Sequence, residues 1–285
     1  PGSRLAEGVG YFGIANTLAT AAGPALALFI IRNSGYNALF LDATAIGATA
    51  LMFSYFMNYE KKKLLQRDIL LVKDKNIPGK RSPKKDIADA IFEKTALPTA
   101  LVIIFVATTI GSIMTFIPTY AATRGIDDIS AYFTVYALTL LLTRLFAGRL
   151  ADRYGDSVVI LPGMFFMVAS FAVLSFASTI PAFLISAVLY GFGFGSAQPT
   201  LNAIMIRLCP PSRRGAGNST FFTAMDIGSG GGAVIWGIIS QNAGFTPVYL
   251  SCAASVIVAF AAYVYVLQRQ LKSLKNIEDA ENIPA

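Results

Sequence analysis

From Thr95 to Thr123 the chain runs for 29 positions without a charged residue. A stretch of that length, written in Ala, Leu, Ile, Val, Phe and Thr, exceeds the roughly 20 residues that a helix needs to cross a hydrocarbon core of about 30 Å. Seven further segments reach spanning length, so the eight are 9–31, 38–59, 96–121, 130–151, 157–179, 181–206, 215–240 and 246–268. Membrane β-strands would be about half as long and would alternate polar with apolar residues. The expected fold is therefore all-α, a polytopic membrane helical bundle of eight transmembrane helices. A composition that is 55% hydrophobic and 14% charged, with a mean hydropathy of +0.59, belongs to the same class.

The charges that remain orient the bundle. With the amino terminus on the cytoplasmic side, the inward-facing segments are 1–8, 60–95, 144–156, 207–214 and the tail after 268, and these hold 21 of the 23 Lys and Arg residues. The positive-inside rule then places both termini in the cytoplasm of a multi-pass plasma-membrane protein. The net charge of +7 reads as topology, because the basic residues cluster between apolar runs, and no nucleic-acid partner is expected. With no histidine and only Cys209 and Cys252, widely spaced in apolar surroundings, no disulfide framework, metal site or cofactor is expected.

Compared with itself at an offset of 209, the chain repeats. Pro1, Ser3 and Arg4 pair with Pro210, Ser212 and Arg213; Gly8, Phe12, Ala15 and Gly23 pair with Gly217, Phe221, Ala224 and Gly232. The match carries through the next turn, where Asn33, Gly35, Tyr36 and Leu41 meet Asn242, Gly244, Phe245 and Leu250. One constant offset over two helices and their connection marks an internal repeat. Residues 1–59 thus correspond to 210–268, while the four helices of 96–206 have no counterpart upstream. The simplest design is a twelve-helix protein of two six-helix halves, of which this chain carries helices five to twelve. The expected organisation is 1–59 as helices five and six, 60–95 as a basic cytoplasmic linker, 96–268 as the second half and 269–285 as a cytoplasmic tail. In the linker, Leu64, Leu65, Ile69 and Leu70, and then Ile87, Ile91 and Phe92, suit short helices on an anionic leaflet, although a solvated linker accounts for them as well.

Between the fourth and fifth spans stands Gly148-Arg149-Leu150-Ala151-Asp152-Arg153-Tyr154-Gly155, read as a charged, hinge-like loop that must sit at a membrane surface. It resembles the signature loop between the second and third helices of a half in the major facilitator superfamily, G-x-L-A-D-R-x-G followed by a basic residue. Asp156 stands where that basic residue is usual. Gly23-Pro24-Ala25-Leu26-Ala27 is similar to the family's fifth-helix motif, and the Pro-x-x-Arg lead-in to helices five and eleven fits too. The resemblance covers the whole chain and leans towards bacterial drug and small-molecule proton antiporters. It implies a major facilitator fold lacking its first four helices, which would have to be supplied in cis or in trans. It also implies a gating role for Gly148, Arg149, Asp152, Arg153 and Gly155, with Asp152 capping the amino end of helix five around Glu7 to Gly10.

Other residues carry expectations of their own. Arg144, one to two turns before the loop, is expected to snorkel to the inner interface. Asp226, about 16 Å along the eleventh helix at 1.5 Å per residue, is a candidate for proton coupling, or else a structural carboxyl beside the run Gly228 to Gly232. Candidates for the substrate cavity are Asn16, Thr20, Thr109, Ser112, Thr115, Tyr136, Gln198 and Asn202, each with the alternative role of polar glue between helices.

The leading functional expectation is a secondary transporter that moves a small organic solute by alternating access, with proton-coupled efflux. The alternative is a non-transporting remnant or fragment that needs the missing helices. No nucleophile elbow, paired intramembrane carboxylates or metal-ligand cluster points to an enzyme.

Overall fold

The computed structural model describes residues 5–56, 92–210 and 213–268; the side chains of 5–18, 20–22, 24, 25, 54 and 56 are outside that description. Among the described residues all regular structure is helical, and seven helices are long and apolar enough to cross a membrane. The eighth expected span, 9–31, falls largely on residues whose side chains are not described. Of the expected linker 60–95, with its two candidate surface helices, only Phe92 to Thr95 are among the described residues, and the tail from 269 lies outside them.

The helices are α1 (Leu5–Phe56), α2 (Leu97–Thr123), α3 (Ser130–Tyr154), α4 (Ser157–Ser175), α5 (Ile180–Leu208), α6 (Arg214–Ala243) and α7 (Phe245–Ala262). A 3-10 turn, Lys94–Ala96, leads into α2, and a π-helical turn, Tyr263–Leu267, extends α7. The described residues divide into two compact units, 26–56 in one and 5–25 with 92–210 and 213–268 in the other. In the first, α1 breaks at Gly35, whose φ of 77° and ψ of 177° are non-helical. The break separates the two helices expected on either side of position 35.

In the second unit, α5 is sandwiched between α3 and α4, α2 lies along α6, and α7 closes the bundle against α4 and α2. Glycines decide who touches whom. A Cβ on Gly232 would come within 2.6 Å of Thr108 Cα, and one on Gly228 within 2.9 Å of Ala107 Cβ. Gly111 faces the Ser229 carbonyl and the Ala233 amide in the same way. The backbones of α2 and α6 therefore meet directly, the small-residue mode of packing that membrane helices use in place of a hydrophobic drive. The Trp236 indole locks the contact by donating to Thr108 O at 2.9 Å. On α5, Gly191 and Gly195 face α3 while Gly193 faces Met167 of α4.

One expectation is corrected. The stretch 148–154 is not a loop but the last two turns of α3, and the chain turns only at Gly155, whose φ is 93°. Residues 149–154 hold no proline or glycine, so nothing breaks the helix until a position that needs a positive φ. The Gly155 amide then closes the end on Ala151 O at 2.8 Å.

Candidate functional site

At the end of the bundle where α3 turns into α4, charged groups join the helices. Asp156 accepts from Arg207 Nη2, at the end of α5, at 2.5 Å. Next to it, Ser157 Oγ lies 2.9 Å from the Tyr263 hydroxyl and accepts from Gln268 Nε2 at 2.9 Å, which ties the end of α7 to the start of α4. Asp156, the departure from the family pattern, thus works as a helix-to-helix tie. Within the motif itself, Gly148, Arg149, Asp152, Arg153 and Gly155 are all exposed. Arg153 lies over the ring of Tyr154, 5.3 Å from its centroid. The seat expected for Asp152, Glu7 to Gly10, falls on side chains outside the described residues.

Sequence reasoning missed a second tie at the same end. Glu93, buried to 6% exposure, pairs with Arg213 Nε, and Arg213 Nη2 also donates to Phe92 O at 2.9 Å. Its carboxylate further accepts from the Thr95 amide at 3.2 Å and the Thr95 hydroxyl at 3.0 Å, capping the turn that opens α2. The Glu93 amide donates to Thr220 Oγ1 at 3.0 Å. The Arg213 bond, followed by the Thr95 amide, holds the Glu93 carboxyl below its ordinary value. The signal was present in the repeat, which had already singled out Arg213 but could not name a partner 120 positions away.

Deeper in the bundle, Arg144 is not directed to the surface. Gly191 packs on Tyr136 and Thr139, and Gly195 on Leu140 and Thr143, which sets a register with Gln198 level with Arg144. Arg144 Nη2 crosses to Gln198 Oε1 at 2.7 Å. An amide oxygen at the same depth, brought close by two glycines, replaces the reach to the interface.

The cavity candidates divide. Thr109, Ser112, Tyr136 and Gln198 are buried within this unit. Thr109 Oγ1 lies 2.9 Å from the Tyr190 hydroxyl, Ser112 donates to Thr109 O, and the Tyr136 and Tyr190 rings are 5.6 Å apart. Thr115 is exposed, and Asn202 is half-buried with its amide 3.4 Å from Asn218 Oδ1. Asp226 is exposed on α6, twelve positions after Arg214, beside the exposed Ile227. The side chains of Asn16, Thr20 and Pro24 lie outside the described residues, and Gly23 is exposed with open space around its Cα. Cys209 and Cys252 are buried thiols.

The chain is 24% identical over 267 residues to the staphylopine export protein of Staphylococcus aureus, covering 90% of this chain and 64% of that protein. An uncharacterised MFS-type transporter of Burkholderia mallei is 28% identical over 162 residues, 57% of this chain and 40% of that one. The chain therefore spans less than two thirds of the length of these curated relatives. A crystal structure of a mutant peptide transporter POT in complex with alafosfalin shares the fold, with a TM-score of 0.51 and 20% identity over 65% of this chain and 42% of that one. The family model of the Major Facilitator Superfamily matches residues 1–134 and again 99–284. With nearly every residue inside one or both of those matches, this multi-pass membrane chain belongs to the Major Facilitator Superfamily.

Proposed function

We propose that this chain is the helix-five-to-twelve portion of a secondary transporter that exports a small organic solute by alternating access, coupled to proton movement, rather than an enzyme. The observation that carries the coupling is Asp226, an exposed carboxylate about 18 Å along a membrane helix at 1.5 Å per residue. A carboxylate at that depth does not face lipid; it faces a partner or a water-filled cavity, where it can take up and release a proton as the cavity changes sides. Family membership supports secondary transport, and the name of the Staphylococcus aureus relative supports export. The remaining wall of the cavity is assigned to four further helices, in cis or in trans, and the membrane to the plasma membrane with both termini cytoplasmic. The motif at 148–155 is assigned the inner gate, with Asp152 as its latch at the amino end of helix five.

The test is proton flux in proteoliposomes carrying the full-length chain as its coding sequence supplies it, read by internal pyranine while candidate solutes are added. Solute-dependent proton movement is expected for the wild type, with Asp226→Asn losing the proton signal while still inserting and folding. Solute flux that is indifferent to the pH gradient in both proteins would sink the coupling.

A further inference from the structure

Between α3 and α4 lies an open groove of about 430 Å³, within the range of roughly 300–1,000 Å³ typical of small-molecule sites. It exists because both helices pack on α5 rather than on each other. Gly191 and Gly195 bring α3 onto α5, and Gly163 brings α4 against Ser196, so α5 forms the floor and the two neighbours form the walls. Leu142, Phe146 and Leu150 of α3, with Val158 and Phe166 of α4, line it and are all exposed. The hydroxyls in its floor are already committed to their own helices: Thr143 donates to Thr139 O at 2.7 Å and Ser196 to Gly193 O at 3.0 Å. Neither offers a donor to a polar solute, whereas the apolar walls suit a hydrocarbon chain. The stripe from Leu142 to Leu150 runs about 12 Å along a membrane helix at 1.5 Å per residue.

Charge at the end of the groove selects the kind of chain. Arg149 stands three positions after Phe146 and Arg153 three after Leu150, so both continue the lining stripe beyond its apolar part. Side chains on a helix lean towards its amino end, which carries both guanidinium groups back towards the groove. Both arginines are exposed, and among the described residues neither donates a hydrogen bond to the protein. The ring of Tyr154, 5.3 Å below the Arg153 guanidinium, holds that side chain over the last turn of α3. The two carboxylates nearby do not cancel these charges. Asp152, two positions after Leu150, projects from the opposite side of α3, and Asp156 is taken by Arg207.

We infer that this groove holds an acyl chain of an anionic phospholipid, with the headgroup phosphate against Arg153 and Arg149. An apolar helix seated in the same place would bring no counter-charge to the two arginines. A free phosphate would leave the walls uncovered. Lipid binding is read without transport, so it stands or falls apart from the export reading.

The experiment is native mass spectrometry of the delipidated full-length protein, titrated with dioleoyl phosphatidylglycerol, with dioleoyl phosphatidylcholine, and with glycerol 3-phosphate as a headgroup without chains. The first phosphatidylglycerol should bind at least about tenfold more tightly than phosphatidylcholine, as expected for two cations at a lipid surface, and glycerol 3-phosphate should not bind in that range. The double variant Arg149→Gln with Arg153→Gln changes exposed positions only, and should bring phosphatidylglycerol down to the level of phosphatidylcholine. Arg149→Lys with Arg153→Lys should keep most of the difference. Val158→Trp, which fills the groove from an exposed wall position, should weaken both lipids by at least about threefold. Equal binding of the two lipids by the wild type, or a preference that survives the Gln pair, would overturn the inference. So would lipid binding indifferent to Val158→Trp, or glycerol 3-phosphate binding as tightly as the lipid.

Discussion

Gly35 and Gly244, 209 positions apart, adopt the same backbone conformation, with φ 77° and ψ 177° at one and φ 81° and ψ −175° at the other. Each joins two membrane helices directly, so the repeat seen in sequence is a repeat of backbone shape. That region of dihedral space belongs almost wholly to glycine, and forcing another residue into it costs roughly 1–3 kcal/mol. Gly35→Ala and Gly244→Ala in the full-length protein should therefore lower the thermal midpoint by similar amounts, a few degrees each. An unchanged midpoint for either would mean that its turn relaxes freely.

The Glu93–Arg213 pair should respond to both mutation and pH. Glu93→Gln is expected to destabilise by about 1–2 kcal/mol, a charge-assisted bond lost beside a partly solvated arginine. Because the folded carboxyl is held below its ordinary value of 4.5, the pair stabilises at neutral pH. That contribution disappears as the pH falls below about 4.5, when the carboxylate takes up its proton. Melting curves from pH 7 to pH 3.5 should show a wild-type loss that Glu93→Gln lacks.

The tie between Asp156 and Arg207 should matter much less. The Arg207 side chain is 49% exposed, and exposed ion pairs contribute about 0–1 kcal/mol. Asp156→Asn is expected to leave the midpoint within about 2 °C of the wild type, and added salt should remove even that difference. A large drop would show that the turn, rather than the pair, depends on the carboxylate.

Substituting the glycines of α6 separates contact from composition. Gly232→Ala places a methyl against the Thr108 backbone and should cost about 1–3 kcal/mol by overpacking. Gly230→Ala, two positions away in open space, should be neutral or slightly stabilising through helix propensity. The difference between the two midpoints measures the α2–α6 contact, and equal midpoints would argue against it.

The spans, the repeat and the family were legible because they are one-dimensional signals: runs of apolar residues, a fixed offset and a contiguous motif. Pairings across the bundle were not. Glu93 finds Arg213 and Asp156 finds Arg207 only once helix register is set, and that register comes from glycines whose partners lie on other helices. Arg144 shows the same limit. Its distance from the surface allowed snorkelling, and only the packing of Gly191 and Gly195 on α3 reveals an amide oxygen at its own depth. The motif at 148–155 was recognised but given the wrong backbone, since charge marks the membrane boundary and says nothing about where a helix stops.

The direct backbone contact between α2 and α6 also constrains how the protein is made. Helix α2 leaves the ribosome with Gly111 and its neighbours shaped to receive a partner that is more than a hundred residues from being synthesised. At roughly 5–20 residues per second, that surface waits on the order of ten seconds in the bilayer or beside the insertion machinery. During that interval lipid, or another protein's helix, occupies the groove that Gly228 and Gly232 will fill, so assembly of this half ends with an exchange of partners inside the membrane.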